Sequence, residues 1–90
     1  MNTNDQLIFK IDYYGTKRWT FDGQLHREDG PAVEWFNGDK YWLLNDQLHR
    51  LNGPAIEYAN GSKEWWYYNE KINCSSQEEF KRLLKLKVLW

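Results

Sequence analysis

The chain has 90 residues, a net charge of −1, a single cysteine, and six Trp, six Tyr and four Phe. That length makes one small domain with a modest buried area, and the near-zero charge gives no bulk attraction to nucleic acid or an anionic membrane. The single Cys74 excludes an internal disulfide and fits a reducing compartment, so the aromatic side chains, which bury large areas each, are what a thin fold would rely on.

Residues 1–6, MNTNDQ, are polar and expected to fray; they carry no basic n-region or apolar run, so no signal peptide is expected. No stretch reaches the length of a membrane span. Leu7 to Tyr14, LIFKIDYY, is rich in β-branched and aromatic residues and stops at Gly15, which predicts a first strand.

From Gly15 the chain repeats itself. Residues 15–37 read GTKRWTFDGQLHREDGPAVEWFN and residues 38–60 read GDKYWLLNDQLHRLNGPAIEYAN, with twelve of twenty-three aligned positions identical. A third copy, GSKEWWYYNEKIN, opens at Gly61 and is cut short at residue 73. A fixed period of this length marks a repeat array. Each unit reads as two strands and two turns. Asn37-Gly38 and Asn60-Gly61 give the strong hairpin signal of two residues that tolerate positive φ. Asp22-Gly23, Asn45-Asp46 and Tyr68-Asn69 mark the second turn, and Gly30-Pro31 and Gly53-Pro54 begin the next strand, where proline costs no ladder hydrogen bond.

The expected architecture is mainly β: a single-layer antiparallel β-meander of 23-residue repeats capped by a C-terminal α-helix. One domain covers residues 1–90, with an N-terminal strand (1–14), two repeats (15–37 and 38–60), a partial repeat (61–73) and a capping helix (74–90). Spacing of two puts Trp19, Trp42 and Trp65 on one side of their strands with Phe21, Leu44 and Tyr67. With Val33 and Trp35, and with Ile56 and Tyr58, these columns stay apolar in every copy and predict the buried face, closed at the turn by Leu25 and Leu48. The opposite face then carries Arg18, Thr20 and Asp22 in the first unit, Tyr41, Leu43 and Asn45 in the second, and Glu64, Trp66 and Tyr68 in the third. Phe36 and Ala59 fall on this outer side too. In the last segment Ser75 with Glu78, or Ser76 with Glu79, makes a capping box. Phe80, Leu83, Leu84 and Val88 recur on one helical face, widened by Leu86, Leu89 and Trp90.

Catalytic or metal chemistry finds no foothold in these patterns. His26 and His49 with Glu34 and Glu57 carry metal-ligand chemistry. Equivalent residues of consecutive units, however, are two strands apart, about 10 Å, whereas zinc holds its ligands at about 2 Å. Their repetition points to a structural role, with His26, Arg27, His49 and Arg50 donating to loop carbonyls or to the repeated glutamate. No Ser or Cys stands beside these histidines as a nucleophile, and no glycine pattern matches a phosphate loop or a dinucleotide fingerprint. The chain is therefore expected not to be an enzyme and to need no cofactor or metal. Cys74 reads as a small buried residue rather than a reactive thiol. Lys17, Lys40 and Lys63 form a further column two residues before each tryptophan. They would either track a phosphate backbone beside stacking aromatics or keep a sheet edge soluble.

His26-Arg27-Glu28-Asp29-Gly30-Pro31-Ala32 and His49-Arg50-Leu51-Asn52-Gly53-Pro54-Ala55, with the 23-residue period and glycine-bearing turns, resemble the MORN repeat in its HRxxGPA variant. Small proteins of bacteriophages and large DNA viruses look like this, often ending in a Trp-rich strand and an EEF-type helix. Trp65-Trp66-Tyr67-Tyr68 and Glu78-Glu79-Phe80 match that ending. The chain departs from the MORN pattern in placing Pro-Ala where many repeats carry further glycine, so a membrane-binding role is not carried over. The resemblance implies a repeat scaffold built on Trp19, Trp42, Trp65, His26, Arg27, His49, Arg50, Gly30, Pro31, Gly53, Pro54, Glu34 and Glu57. It also implies a small viral or phage protein acting in the host cytoplasm.

The functional expectation is a non-enzymatic protein-interaction module that binds a host protein or complex, for instance to inhibit a bacterial defence system. Partner contact is expected at Phe36, Tyr41, Leu43, Trp66 and Tyr68, because large aromatic side chains on a varying face are the usual anchors of interfaces. The rival account has the C-terminal helix fold back over Trp66 and Tyr68. An aromatic-groove binder of nucleotide or single-stranded nucleic acid, an antitoxin-like structural component and a homo-oligomer stay open beside it.

Overall fold

The computed structural model describes residues 6–88. Residues 1–5 of the start expected to fray and the apolar Leu89 and Trp90 lie outside the described residues, as does the side chain of Val88. Ten strands precede one helix: β1 (Leu7–Ile11), β2 (Lys17–Phe21), β3 (Gln24–Leu25), β4 (Val33–Glu34), β5 (Lys40–Tyr41), β6 (Leu43–Leu44), β7 (Gln47–Leu48), β8 (Ile56–Glu57), β9 (Lys63–Tyr67), β10 (Glu70–Ile72) and α1 (Gln77–Val88). The main sheet runs β1-β2-β4-β5-β8-β9-β10 with every pairing antiparallel, β3 pairs with β2, and β6-β7 forms a separate hairpin. The result is the expected β-meander with a C-terminal helical cap, a slab of 40 × 35 × 17 Å.

The first strand is shorter than LIFKIDYY suggested. It ends at Ile11 because Asp12 turns the chain: its Oδ1 accepts from the N–H groups of Tyr14 (2.9 Å) and Thr16 (3.0 Å), and its carbonyl accepts from Gly15 N (3.1 Å). An aspartate accepting from backbone two residues on is a strong turn former. Gly15 takes φ 97°, a conformation that only glycine adopts without strain.

The two kinds of turn differ from expectation, and the difference decides which face is buried. At Asn37-Gly38 only the glycine has positive φ, and Gly38 N donates to Trp35 O (2.9 Å). The loop therefore has three residues, 36–38, with glycine at the left-handed position, instead of two. The two-residue turns with both φ positive are the others: Asp22 and Gly23, Asn45 and Asp46, Tyr68 and Asn69. Across the three-residue loop Val33 pairs with Tyr41 and Glu34 with Lys40. One cross-strand row is thus Arg18, Val33, Tyr41, Ile56 and Glu64, and the next is Lys17, Glu34, Lys40, Glu57 and Lys63. Side chains opposite one another share a face, so Val33 and Ile56 lie with Tyr41 and Leu43, on the side away from Trp19 and Trp42.

The expected inner columns are accordingly split between two faces. The core cluster is Ala32, Val33 and Leu43, with Leu25, Trp35, Tyr41 and Leu48 packed against it. Leu43, expected on the outer face, is 8% exposed. Trp19 and Trp42 are only half-buried on the opposite side, while Trp65 is buried. The hairpins β2-β3 and β6-β7 bring Leu25, Leu43 and Leu48 together with Ala32 and Val33 of the main sheet, which is how so thin a fold makes a small core.

The helix starts at Ser76, whose Oγ accepts from Glu79 N (3.1 Å), while Glu79 Oε1 accepts from Ser75 N (2.8 Å). That is the second of the two expected capping pairs. Glu78 and Glu79 in the first turn and Lys85 and Lys87 in the last suit the helix dipole. Phe80 is completely buried. The helix caps the tryptophan face: Trp65 Nε1 donates to Gln77 Oε1 (2.8 Å), and Lys87 Nζ reaches Glu70 Oε1 at 2.7 Å. Trp66, next to Trp65 in β9, faces the other side of the sheet, and Tyr68 lies in the turn after β9, stacked on His49.

Candidate functional site

The repeated residues fall into place first, because they define what is left over for binding. Within each unit the loop arginine lies over the unit's tryptophan, Arg27 Cζ at 3.9 Å from the Trp19 ring centre and Arg50 Cζ at 3.8 Å from that of Trp42. Stacking of this kind suits the planar guanidinium. Arg27 also donates to Pro31 O (3.2 Å) and Asp29 (3.3 Å), with Glu34 at 3.6 Å. Arg50 donates to Pro54 O (3.0 Å), Asn52 (3.2 Å) and Glu57 (2.8 Å). The glycine of HRxxGPA is explained by this stack rather than by its φ. A β-carbon added at Gly53 would lie 2.6 Å from Arg50 Cζ, and one at Gly30 would lie 2.7 Å from Arg27 Cζ. Gly53→Ala is expected to push Arg50 off Trp42 and cost about 1–3 kcal/mol, the usual range for overpacking. Urea denaturation measures it; a loss under about 0.5 kcal/mol would mean the stack shifts freely.

The histidines act between units and accept rather than donate. His26 Nδ1 accepts from Asn45 N (3.1 Å) and His49 Nδ1 from Tyr68 N (3.0 Å). Each receives the N–H of a residue at positive φ in the turn of the next unit, Asn45 at 49° and Tyr68 at 41°. The same boundaries are closed by Asp46 N to Leu25 O (2.8 Å) and Asn69 N to Leu48 O (2.8 Å). The side chains of Asp46 and Asn69 return the bond, accepting from Leu25 N (2.6 Å) and Leu48 N (3.2 Å). Among the described residues no group of three or more His, Cys, Asp or Glu side chains comes together.

Burial lowers the pKa of His49, and its bond to Tyr68 N requires an unprotonated Nδ1. A group depressed on folding contributes stability that is complete above its unfolded pKa of 6.5 and is lost as pH falls below it. The melting temperature is expected to drop as pH falls from about 6.5 through the lowered value of the folded state. The drop should shrink in His49→Gln, whose amide oxygen still accepts. An equal drop in both proteins would assign the pH dependence to other groups.

The lysine column is offset in part. Lys17, Lys40 and Lys63 alternate with Glu34 and Glu57 as direct cross-strand partners. Opposite charges so placed stabilise a sheet. Burial, reinforced by Glu79, pushes the Cys74 thiol up, away from the reactive thiolate.

Of the expected contact residues, Phe36 stands out at 69% exposed and Tyr68 at 50%. Tyr68 stacks on His49 with ring centres 3.8 Å apart. Leu43 belongs to the core cluster and the partly buried Tyr41 packs against it, so neither stands in the exposed patch. Trp66 is half-buried and its Nε1 donates to Glu64 Oε1 (3.0 Å), while Tyr58 donates to the other oxygen of Glu64 (3.0 Å). Burial and that bond push Tyr58 up to about 12. Burial alone would raise Glu64, but the bonds from Trp66 and Tyr58 and the nearby Lys71 hold it below its usual value. Trp66 is therefore committed to the fold's own network.

The surface instead concentrates where no contact was expected. Tyr13 is 96% and Tyr14 75% exposed at the tip of the first hairpin, and Phe36 sits beside them on the equivalent turn of the next unit, 6.5 Å from Tyr14 between ring centres. Leu7, Ile8, Phe9 and Ile11 of β1 are exposed on both faces, and among the described residues β1 is one of the two edges of the main sheet. The readable signal was the 23-residue register, which places Tyr13 and Tyr14 in the columns of Phe36 and Asn37, hence in a turn.

A concavity lies on the tryptophan face. A groove of about 360 Å³ runs between the first and second HRxxGPA loops, lined among others by Arg27, Glu28, Trp42, Leu44 and Arg50. Comparison with family models, with curated proteins and with solved structures gives no match to the chain.

Proposed function

We propose that the chain is a non-enzymatic interaction module that docks a partner protein on the apolar hairpin end formed by β1, Tyr13, Tyr14 and Phe36. What supports this reading is the exposure of those residues: small domains rarely leave so many large apolar side chains together in water. The edge strand adds unpaired backbone groups to which a partner strand can hydrogen-bond. The resemblance to MORN-like proteins of phages and viruses makes a host protein the favoured partner and the host cytoplasm the favoured compartment, with inhibition of a defence system as one outcome. Among the described residues no helix is long and apolar enough to cross a membrane.

The test is affinity capture from a bacterial lysate with and without nuclease, using the wild-type chain and a Tyr14→Ser, Phe36→Ser double variant. The expected result is a protein that survives nuclease and is lost with the double variant, while the melting temperature of the variant stays at the wild-type value. Capture that vanishes with nuclease would favour single-stranded nucleic acid and overturn the reading. Capture unaffected by the double variant would move the interface elsewhere.

A further inference from the structure

The repeat lets one groove report on the chemistry of another. At the boundary of the second and third units, the Gln77 carboxamide bridges two groups: Trp65 Nε1 donates to its Oε1 (2.8 Å), and its Nε2 donates to Leu51 O (2.8 Å). Phe80, one helical turn on, is completely buried. Moved back by one period, Trp65 becomes Trp42 and Leu51 becomes Glu28. Both line the groove between the first and second loops. There the Trp42 indole N–H has no acceptor and the Glu28 carbonyl no donor among the described residues.

We propose that this groove is a recognition site for a glutamine side chain, presented by a partner protein at the start of a helix with an apolar residue three positions on. The two groups left open are one donor and one acceptor, and a planar carboxamide supplies the complement of both at once. A carboxylate offers no donor and an ammonium no acceptor. Leu44, the counterpart of Tyr67, gives the groove an apolar wall for the residue one turn further along the incoming helix, where i and i+3 share a face. The charges around it, Arg27 and Arg50 against Glu28 and Asp29, balance, which suits a neutral side chain better than a charged one. The proposal rests on the reading of the chain as an interaction module. It concerns residues separate from Tyr13, Tyr14 and Phe36, so failure at either place leaves the other standing.

The probe is a synthetic peptide with the sequence of residues 75–88, titrated into the full ¹⁵N-labelled chain while the tryptophan indole N–H resonances are followed. Saturable movement of the Trp42 indole resonance is expected, weakened at least tenfold by Gln77→Leu in the peptide. Trp42→Phe in the protein, which keeps a ring under Arg50 but removes the donor and its resonance, should weaken binding of the unaltered peptide to a similar degree, read from the backbone amide resonances of Leu44 and Arg50. The peptide comparison needs no change in the protein and so does not depend on whether that variant folds. No movement at Trp42 up to millimolar peptide would overturn the proposal. So would equal movement with both peptides, or movement confined to Trp65, which would report exchange of the peptide with the chain's own helix.

Discussion

Phe80→Ala is expected to remove about 3–5 kcal/mol of stability, the range for truncating a fully buried aromatic. A small domain has about 5–15 kcal/mol in all, so the variant should lie close to its unfolding threshold at ambient temperature. Among the described residues Phe80 is the largest side chain with no exposure, and it sits on a helix otherwise held by Gln77, by Lys87 with Glu70 and by half-buried leucines. Urea denaturation followed by tryptophan fluorescence would read the loss as one cooperative transition shifted to low denaturant. A loss near 1 kcal/mol, or a two-step transition, would show that the helix melts separately from the sheet.

Leu43 and Leu44 supply the second large effect, and their contrast tests the assignment of faces. Leu43→Ala is expected to cost about 2–4 kcal/mol because it empties the centre of the core cluster. Leu44→Ala, a residue away on the groove side, should cost about 1 kcal/mol, in proportion to its partial burial. Guanidinium denaturation of the pair decides between the two faces. If Leu44→Ala were the more damaging, the tryptophan face would be the true core and the register across residues 36–38 would be wrong.

That contrast also marks where the sequence stops being legible. The period, the strands, the helix and its cap could all be read from spacing and turn residues. The faces could not, because strand periodicity says which residues share a side within a strand and not how two strands are phased. Phasing was set by a single residue of loop length at Asn37-Gly38. Read as a two-residue turn, it joined Val33 to the tryptophans; as the three-residue loop it is, it joins Val33 to Tyr41 and Leu43. The histidines were legible as structural but not as acceptors, since their partners lie in the turn of the following unit, nineteen residues away. Tyr13 and Tyr14 were missed because LIFKIDYY is a good strand by composition. What ends it is local: the Asp12 side chain holding two backbone N–H groups.

Because the same set of bonds closes both unit boundaries, the molecule can change its length only in whole steps. Excising residues 38–60 would join Asn37 to Gly61 and give every boundary atom an equivalent partner: His26 would meet Tyr68 N, Leu25 would meet Asn69, and Gln77 would reach Glu28 O. Inserting another unit would repeat the existing boundary, with stability growing by one nearest-neighbour increment. Each step adds two strands to the main sheet, about 10 Å at the usual spacing. The hairpin end and the helical end would be unchanged while the distance between them is set by counting, which makes the repeat a ruler that holds two dissimilar ends at a quantised separation.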